Sequence, residues 1–205
     1  MGKMNWGVAV WVGAALLAGC GAEERVEATS EGVIGESLQA ERAESEVERM
    51  LTVLAYCDDV TTWDPAWTDF ENQVLTLVNQ RRAAGGSCGG VSKPPVAALT
   101  LDTRLRCAAR KHSKDMGDNN FFSHTGSNGS AFSQRITSAG YTWRAAAENI
   151  GAGYATPAAA VTGWMNSTGH CNNIMNGTYK HLGVGYYNKA GSTYRHYWTQ
   201  DFGTP

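Results

Sequence analysis

The chain reads as an α+β protein, with helices first and strands last. Three observations predict this. Apolar residues recur at helical spacing over 65–84 and again over 102–117, each run opened by a capping signal. Two aromatic-rich segments, 181–188 and 193–202, flank Lys189-Ala190-Gly191 and read as a hairpin. Helices followed by strands make an α+β domain rather than an alternating βαβ array.

Composition narrows the class further. The chain has 205 residues, enough for one ordinary globular domain, and seven Trp and eight Tyr to fill a core. With 42% hydrophobic and 18% charged residues it is not collagenous, coiled-coil or wholly disordered. A net charge of −2 argues against a nucleic-acid partner, and no GxGxxG loop follows a strand.

The first element is an address. Lys3 precedes the uncharged apolar run Gly7–Ala18, a signal-peptide core too short to span a bilayer as a mature helix. Leu17-Ala18-Gly19-Cys20 then resembles the bacterial lipobox, in which Cys20 is acylated and becomes the first mature residue; plain secretion with cleavage near Ala18 or Ala22 is the alternative. Residues 1–19 are therefore expected to be a lipoprotein signal peptide. Lipid on Cys20 would tie the chain to a membrane, with several acyl chains needed for a stable hold. Gly21 after the Cys favours the outer membrane if the envelope is Gram-negative. Residues 21–56 carry nine acidic residues against three arginines, a net charge of −6. Residues 20–56 are expected to form an acidic flexible tether, part-helical over 37–54.

The domain proper is expected over 57–205. Asp64-Pro65 opens its first helix, which carries Trp67, Phe70, Val74, Leu77 and Val78 on one face and ends at Gly85-Gly86. Asp102 caps the second, whose apolar stripe is Leu105, Ala108, Ala109, His112 and Met116. A short third helix spans 131–139. A fourth starts at Thr156-Pro157 and runs through Val161, Trp164 and Met165. Export would leave Cys57, Cys88, Cys107 and Cys171 in an oxidising compartment, where an even number of thiols forms disulfides. Of three possible connectivities we expect Cys88–Cys107, closing a Gly-rich loop between two helices, with Cys57–Cys171. A zinc–cysteine site is not expected, because no CxxC spacing is present.

Three titratable residues lie among dense turn signals: His124 in Phe121-Phe122-Ser123-His124-Thr125-Gly126, Glu148 in Ala147-Glu148-Asn149-Ile150-Gly151, and His170 in Ser167-Thr168-Gly169-His170-Cys171. Two His and one carboxylate suit either an open zinc site or a general acid/base set. His112, on an apolar helix stripe, reads instead as a hydrogen-bonded core residue. Cys171 reads as half of a disulfide rather than a nucleophile.

LTLVNQRRAAG at 75–85, LDTRLRCAARKHSKDM at 101–116, FFSHTGSNGS at 121–130, GYTWRAAAENIGAG at 140–153, TPAAAVTGWMNSTGHCNNIM at 156–175, HLGVGYY at 181–187 and YWTQDFG at 197–203 together resemble the CAP superfamily, in particular its bacterial branch. That family takes in cysteine-rich secretory proteins, venom antigen 5 and plant pathogenesis-related proteins. The resemblance implies a three-layer α–β–α sandwich and a shallow cleft with two His and two acids. By motif, His124 is the first His, Glu148 the acid of AENI, and His170 the second His. The remaining acid has no counterpart, since Trp164-Met165-Asn166-Ser167-Thr168-Gly169 contains no carboxylate. Tyr197, Gln200 and Ser167 are expected along the cleft. Three functions follow for a monomer of this kind: an extracytoplasmic module binding a peptide, lipid or cell-wall component; a zinc-dependent hydrolase or protease built on His124, Glu148 and His170; or a structural envelope domain.

Overall fold

The computed structural model describes residues 30–205, with side chains from Leu38 onward. The signal peptide and Cys20 lie outside the described residues. Ala43–Pro205 form one compact unit. Of the stretch expected as a part-helical tether, the described part is one helix: α1 runs Ser30–Cys57, longer than the 37–54 expected to be helical. Glu, Ala, Leu, Met, Arg and Gln dominate it, and these residues lose little side-chain freedom in a helix, so propensity outweighs acidity.

After a 3₁₀ turn at Asp58–Val60 come α2 (Pro65–Ala84), a two-strand hairpin of β1 (Gly86–Cys88) and β2 (Val91–Lys93), β3 (Thr100–Leu101), α3 (Thr103–Asp118) and α4 (Phe132–Ser138). Then follow β4 (Ala145–Ala152), α5 (Pro157–Asn166), α6 (Thr168–Ile174), β5 (His181–Asn188) and β6 (His196–Thr204). The helix caps are those the sequence names. Asp64 accepts from the Ala66 N–H and Asp102 from the Arg104 and Leu105 N–H groups, while Thr156 accepts from Ala159.

The main sheet has the order β3-β5-β6-β4, so β4 is an edge strand. Alternation along β6 sorts the layers. Trp198 and Phe202 point into a core with Leu182, Val184 and Tyr186 from β5 and with Val74 and Val78 of α2, Val161 and Trp164 of α5 and Ile174 of α6. The opposite face lies under α3 and α4, where Leu105, Ala108 and Ile136 gather with Tyr141. This is the expected α–β–α sandwich. Trp164 and Trp198 are core aromatics, and each indole N–H finds a backbone carbonyl, Ile150 and Tyr154 respectively.

Helix α3 meets β5 backbone to backbone at two glycines. A Cβ on Gly183 would stand 2.1 Å from the Leu105 carbonyl carbon, and one on Gly185 2.3 Å from that of Ala109. The periods nearly match: four helical residues rise about 6 Å and two strand residues about 6.6 Å. Successive outward glycines of β5 therefore meet successive turns of α3.

The disulfides are Cys57–Cys107 and Cys88–Cys171, in place of the expected Cys88–Cys107 and Cys57–Cys171. Among the described residues every cysteine is paired. The segment after α2 does not reach toward α3. It folds into the β1–β2 hairpin against α6, so Cys88 meets Cys171, while the end of α1 packs on α3 and brings Cys57 to Cys107. These bridges span 50 and 83 residues, and loops of that size each stabilise by about 4 kcal/mol in the chain-entropy model.

Candidate functional site

The site forms at the β4 edge. Glu148 lies mid-strand with its side chain toward the α3–α4 layer, almost wholly buried at 1% exposure. Its Oε1 accepts from His124 Nδ1 at 2.7 Å, and its Oε2 from the Arg135 guanidinium at 2.7 Å. Because Glu148 can only accept, His124 carries its proton on Nδ1 and turns Nε2 outward. The imidazole is 54% exposed. An open ring is thus fixed on a buried carboxylate.

The loop between α3 and α4 holds His124 in place through Arg135. That side chain also donates to the His124 carbonyl at 3.0 Å and the Ser130 carbonyl at 2.8 Å, tying the loop to β4. His112 braces the same loop from α3, its Nε2–H donating to the Ser123 carbonyl at 2.8 Å. Burial lowers the His112 pKa to about 4, so it is neutral at physiological pH. The core reading of His112 is therefore correct.

His170 approaches from the other layer, near the N-terminus of α6. Partial burial, and then the charge of nearby His124, hold its pKa below the usual histidine value. It makes no bond to Glu148. Its carbonyl accepts from the Asn149 amide at 3.2 Å, and Asn149 is itself held by Gln200 and Asn173. Tyr197 and Gln200, expected along the cleft, are fully buried.

The charge balance of Glu148 is set by opposing effects. Burial pushes its pKa up, but the His124 hydrogen bond and adjacent positive charge outweigh this, leaving it below the ordinary carboxylate value. Asp201 lies directly opposite Glu148 in the β4–β6 register. It is fully buried, and burial followed by the Glu148 charge raises its pKa well above the ordinary value.

A zinc ion in the expected two-His, one-Glu form does not fit this arrangement. Both Glu148 oxygens are engaged, one by the Arg135 cation, and that charge would repel a metal at the carboxylate. Among the described residues no group of three or more His, Cys, Asp or Glu is placed to hold a metal.

A family model described as CAP, the cysteine-rich secretory protein family, matches residues 75–202. The chain belongs to the CAP family. It is 40% identical over 134 residues to the uncharacterized protein YkwD of Bacillus subtilis, which covers 65% of this chain and 46% of YkwD. It is 35% identical over 140 residues to the uncharacterized membrane protein YlbC of the same organism, covering 68% of this chain and 36% of YlbC. The match thus spans less than half of either relative. Among solved structures, an extracellular SCP-domain protein of Bacillus anthracis superposes with a TM-score of 0.58 at 29% identity, covering 70% of this chain and 45% of that one. An outer surface protein of Borrelia burgdorferi gives 0.57 at 18% identity, covering 66% and 92%, a likeness of fold.

Of the three residues expected to share a cleft, this CAP domain joins His124 and Glu148 in a direct bond and brings His170 near without bonding it. Two members of the site, Arg135 and Asp201, escape the sequence reading. Arg135 stands on a short helix with no motif to mark it. Asp201 becomes visible only once β4 is known to pair with β6, and the Ala/Gly-rich β4 gives no strand signal.

Proposed function

We propose that this is an exported CAP-domain protein whose β4-edge cleft binds an extracytoplasmic ligand, a peptide, lipid or cell-wall component, through His124. The observation that carries the reading is the pairing of an exposed imidazole with a buried, arginine-backed carboxylate. An exposed histidine alone is commonplace, whereas one fixed at Nδ1 presents Nε2 in a defined direction. Two residues away, exposed Phe122 packs at a tilt against exposed Tyr194 at 5.8 Å between ring centres, an apolar surface for the rest of a ligand. Two disulfides suit an oxidising compartment. The similar structures include an extracellular and an outer-surface protein, which supports export of this chain as well.

Anchoring through Cys20 belongs to the same proposal, with the acidic 21–56 segment between lipid and domain. No helix among the described residues is long and apolar enough to cross a membrane. Cys20→Ser should move the protein from the membrane fraction to the soluble one with its fold intact; retention in the membrane would refute anchoring by lipid.

Binding is tested by titrating wild-type protein and His124→Ala with peptidoglycan fragments, lipid vesicles and a peptide library. We expect one class to bind wild type and to lose at least tenfold in affinity with His124→Ala. Equal binding by both proteins would overturn the role of His124, and no binding by either would leave a structural envelope domain as the function.

A further inference from the structure

We infer that Asp201 is the second acid of this site and stands protonated at neutral pH, sharing one proton with Glu148 as a buried carboxyl–carboxylate pair behind His124. The inference rests on the reading of His124 and Glu148 as the functional site and deepens it. It supplies, from β6, the acid that the sequence lacks at Asn166.

The geometry leaves Asp201 one polar partner in the sheet. In the paired register its neighbours are Gly183 on β5 and Glu148 on β4, and directly opposed residues share a face. Gly183 has no side chain, and α3 lies on it. The adjoining same-face residues of β6 are Thr199, bonded to Ser113 of α3 at 2.9 Å, and Gly203. Among the described residues neither Asp201 oxygen has a partner as a plain acceptor. A buried acid with no donor aimed at it, beside a carboxylate, is satisfied when it becomes the donor itself. Each Glu148 oxygen has a second lone pair to receive that bond.

Charge counting agrees. The charged and titratable groups around the pair are Arg135 of α4, His112 of α3, His124 of the loop, and Tyr56 of α1, whose pKa is raised to about 12 by burial with the Asp201 charge contributing. His112 is neutral. Two ionised carboxylates would leave a buried negative charge that Arg135 alone cannot cancel, and buried uncompensated charge is relieved by protonation. With one proton on the pair, the Arg135 charge is matched. Asp201 is then a positioning residue: its O–H holds Glu148 so that Oε1 faces His124.

The test uses the full chain without ligand, so its outcome is independent of whether any ligand binds His124. Wild-type protein labelled with ¹³C at aspartate carboxyl carbons should show one resonance in the protonated range at pH 7, absent from Asp201→Asn. That variant replaces a neutral donor by a neutral donor, so the His124 titration followed by NMR should move by less than about 0.3 pH unit. Were Asp201 ionised, removing its charge would lower the His124 midpoint by about one unit or more. An ionised Asp201 resonance, or such a shift, would overturn the proposal. If Asp201→Asn does not fold, the wild-type resonance, assigned through its β6 neighbours, still decides.

Discussion

Glu71 and Glu148 are buried glutamates of the same sandwich, each set on an arginine, yet one is a staple and the other the proposed site. Glu71 of α2 takes Arg110 of α3 through contacts of 3.0, 3.1 and 2.7 Å, and accepts the Tyr186 N–H of β5 at 3.2 Å, with Arg106 at 3.5 Å. Every one of its partners belongs to the packed body of the domain. Burial raises its pKa even against Arg110. Glu148 commits one oxygen to Arg135 in the same way, but the other to a ring open to solvent, and it faces an acid that no cation matches. The difference is one of direction: the Glu71 pair spends all its hydrogen-bonding capacity inside the domain, whereas the pair proposed as the site turns part of it outward.

Four substitutions probe this contrast, in descending order of effect. The largest effect is expected at Glu71. Glu71→Ala should cost about 3–5 kcal/mol in urea unfolding, because it strands the Arg110 charge in the interior. A cost below about 1 kcal/mol would remove the distinction. Next is the brace behind the site. His112 is neutral in the fold, with a pKa near 4 against an ordinary 6.5, so its unfolded form takes up a proton first as pH falls. That contribution is complete above pH 6.5 and is lost on descending toward pH 4, roughly 3 kcal/mol in all. Stability measured across this window should fall less steeply in His112→Gln than in wild type. For Asp201 the sign is opposite. Its raised pKa makes the native state bear a protonation cost at neutral pH, so Asp201→Asn should gain stability relative to wild type as pH rises above the unfolded value of about 3.9. The smallest effect is expected at His124. His124→Ala should change stability by less than about 1 kcal/mol, since the ring is mostly exposed and Glu148 keeps Arg135. A larger loss would make Glu148 a second staple.

The legible parts of this molecule are those where local chemistry decides. Asp64-Pro65, Asp102 and Thr156-Pro157 mark helix starts because a side-chain oxygen or a fixed φ acts within three residues, and all three helices begin there. The strand over 181–188 is readable from its own side chains. Strand β4 is not: Ala145, Ala146, Ala147 and Gly151 give no β-branched or aromatic signal, and the strand exists because β6 and the flanking helices cover it. The same gap hides Asp201, which has meaning only by register, and Arg135, whose role depends on a partner thirteen residues away in another element. The disulfide pairing misleads for a related reason. Proximity in sequence favours Cys88–Cys107, but the β1–β2 hairpin directs Cys88 to α6. Motif alone nominates His124 and Glu148, while the bond between them is a property of the loop that Arg135 ties down.

The contact of Gly183 and Gly185 with α3 gives the domain a clearance of zero at its centre. A part seated without slack transmits displacement instead of absorbing it. The same helix carries Arg110 toward one edge of the sheet and His112 toward the other, so the two edges form a single mechanical piece. A methyl at either glycine, about 1.5 Å of added reach, would lift α3 as a lever lifts both its arms. Gly185→Ala should therefore disturb the Glu71 staple and the His124 loop together while touching neither. In a library screened for folding alone, with no ligand offered, both positions would return as glycine, kept by fit rather than by chemistry.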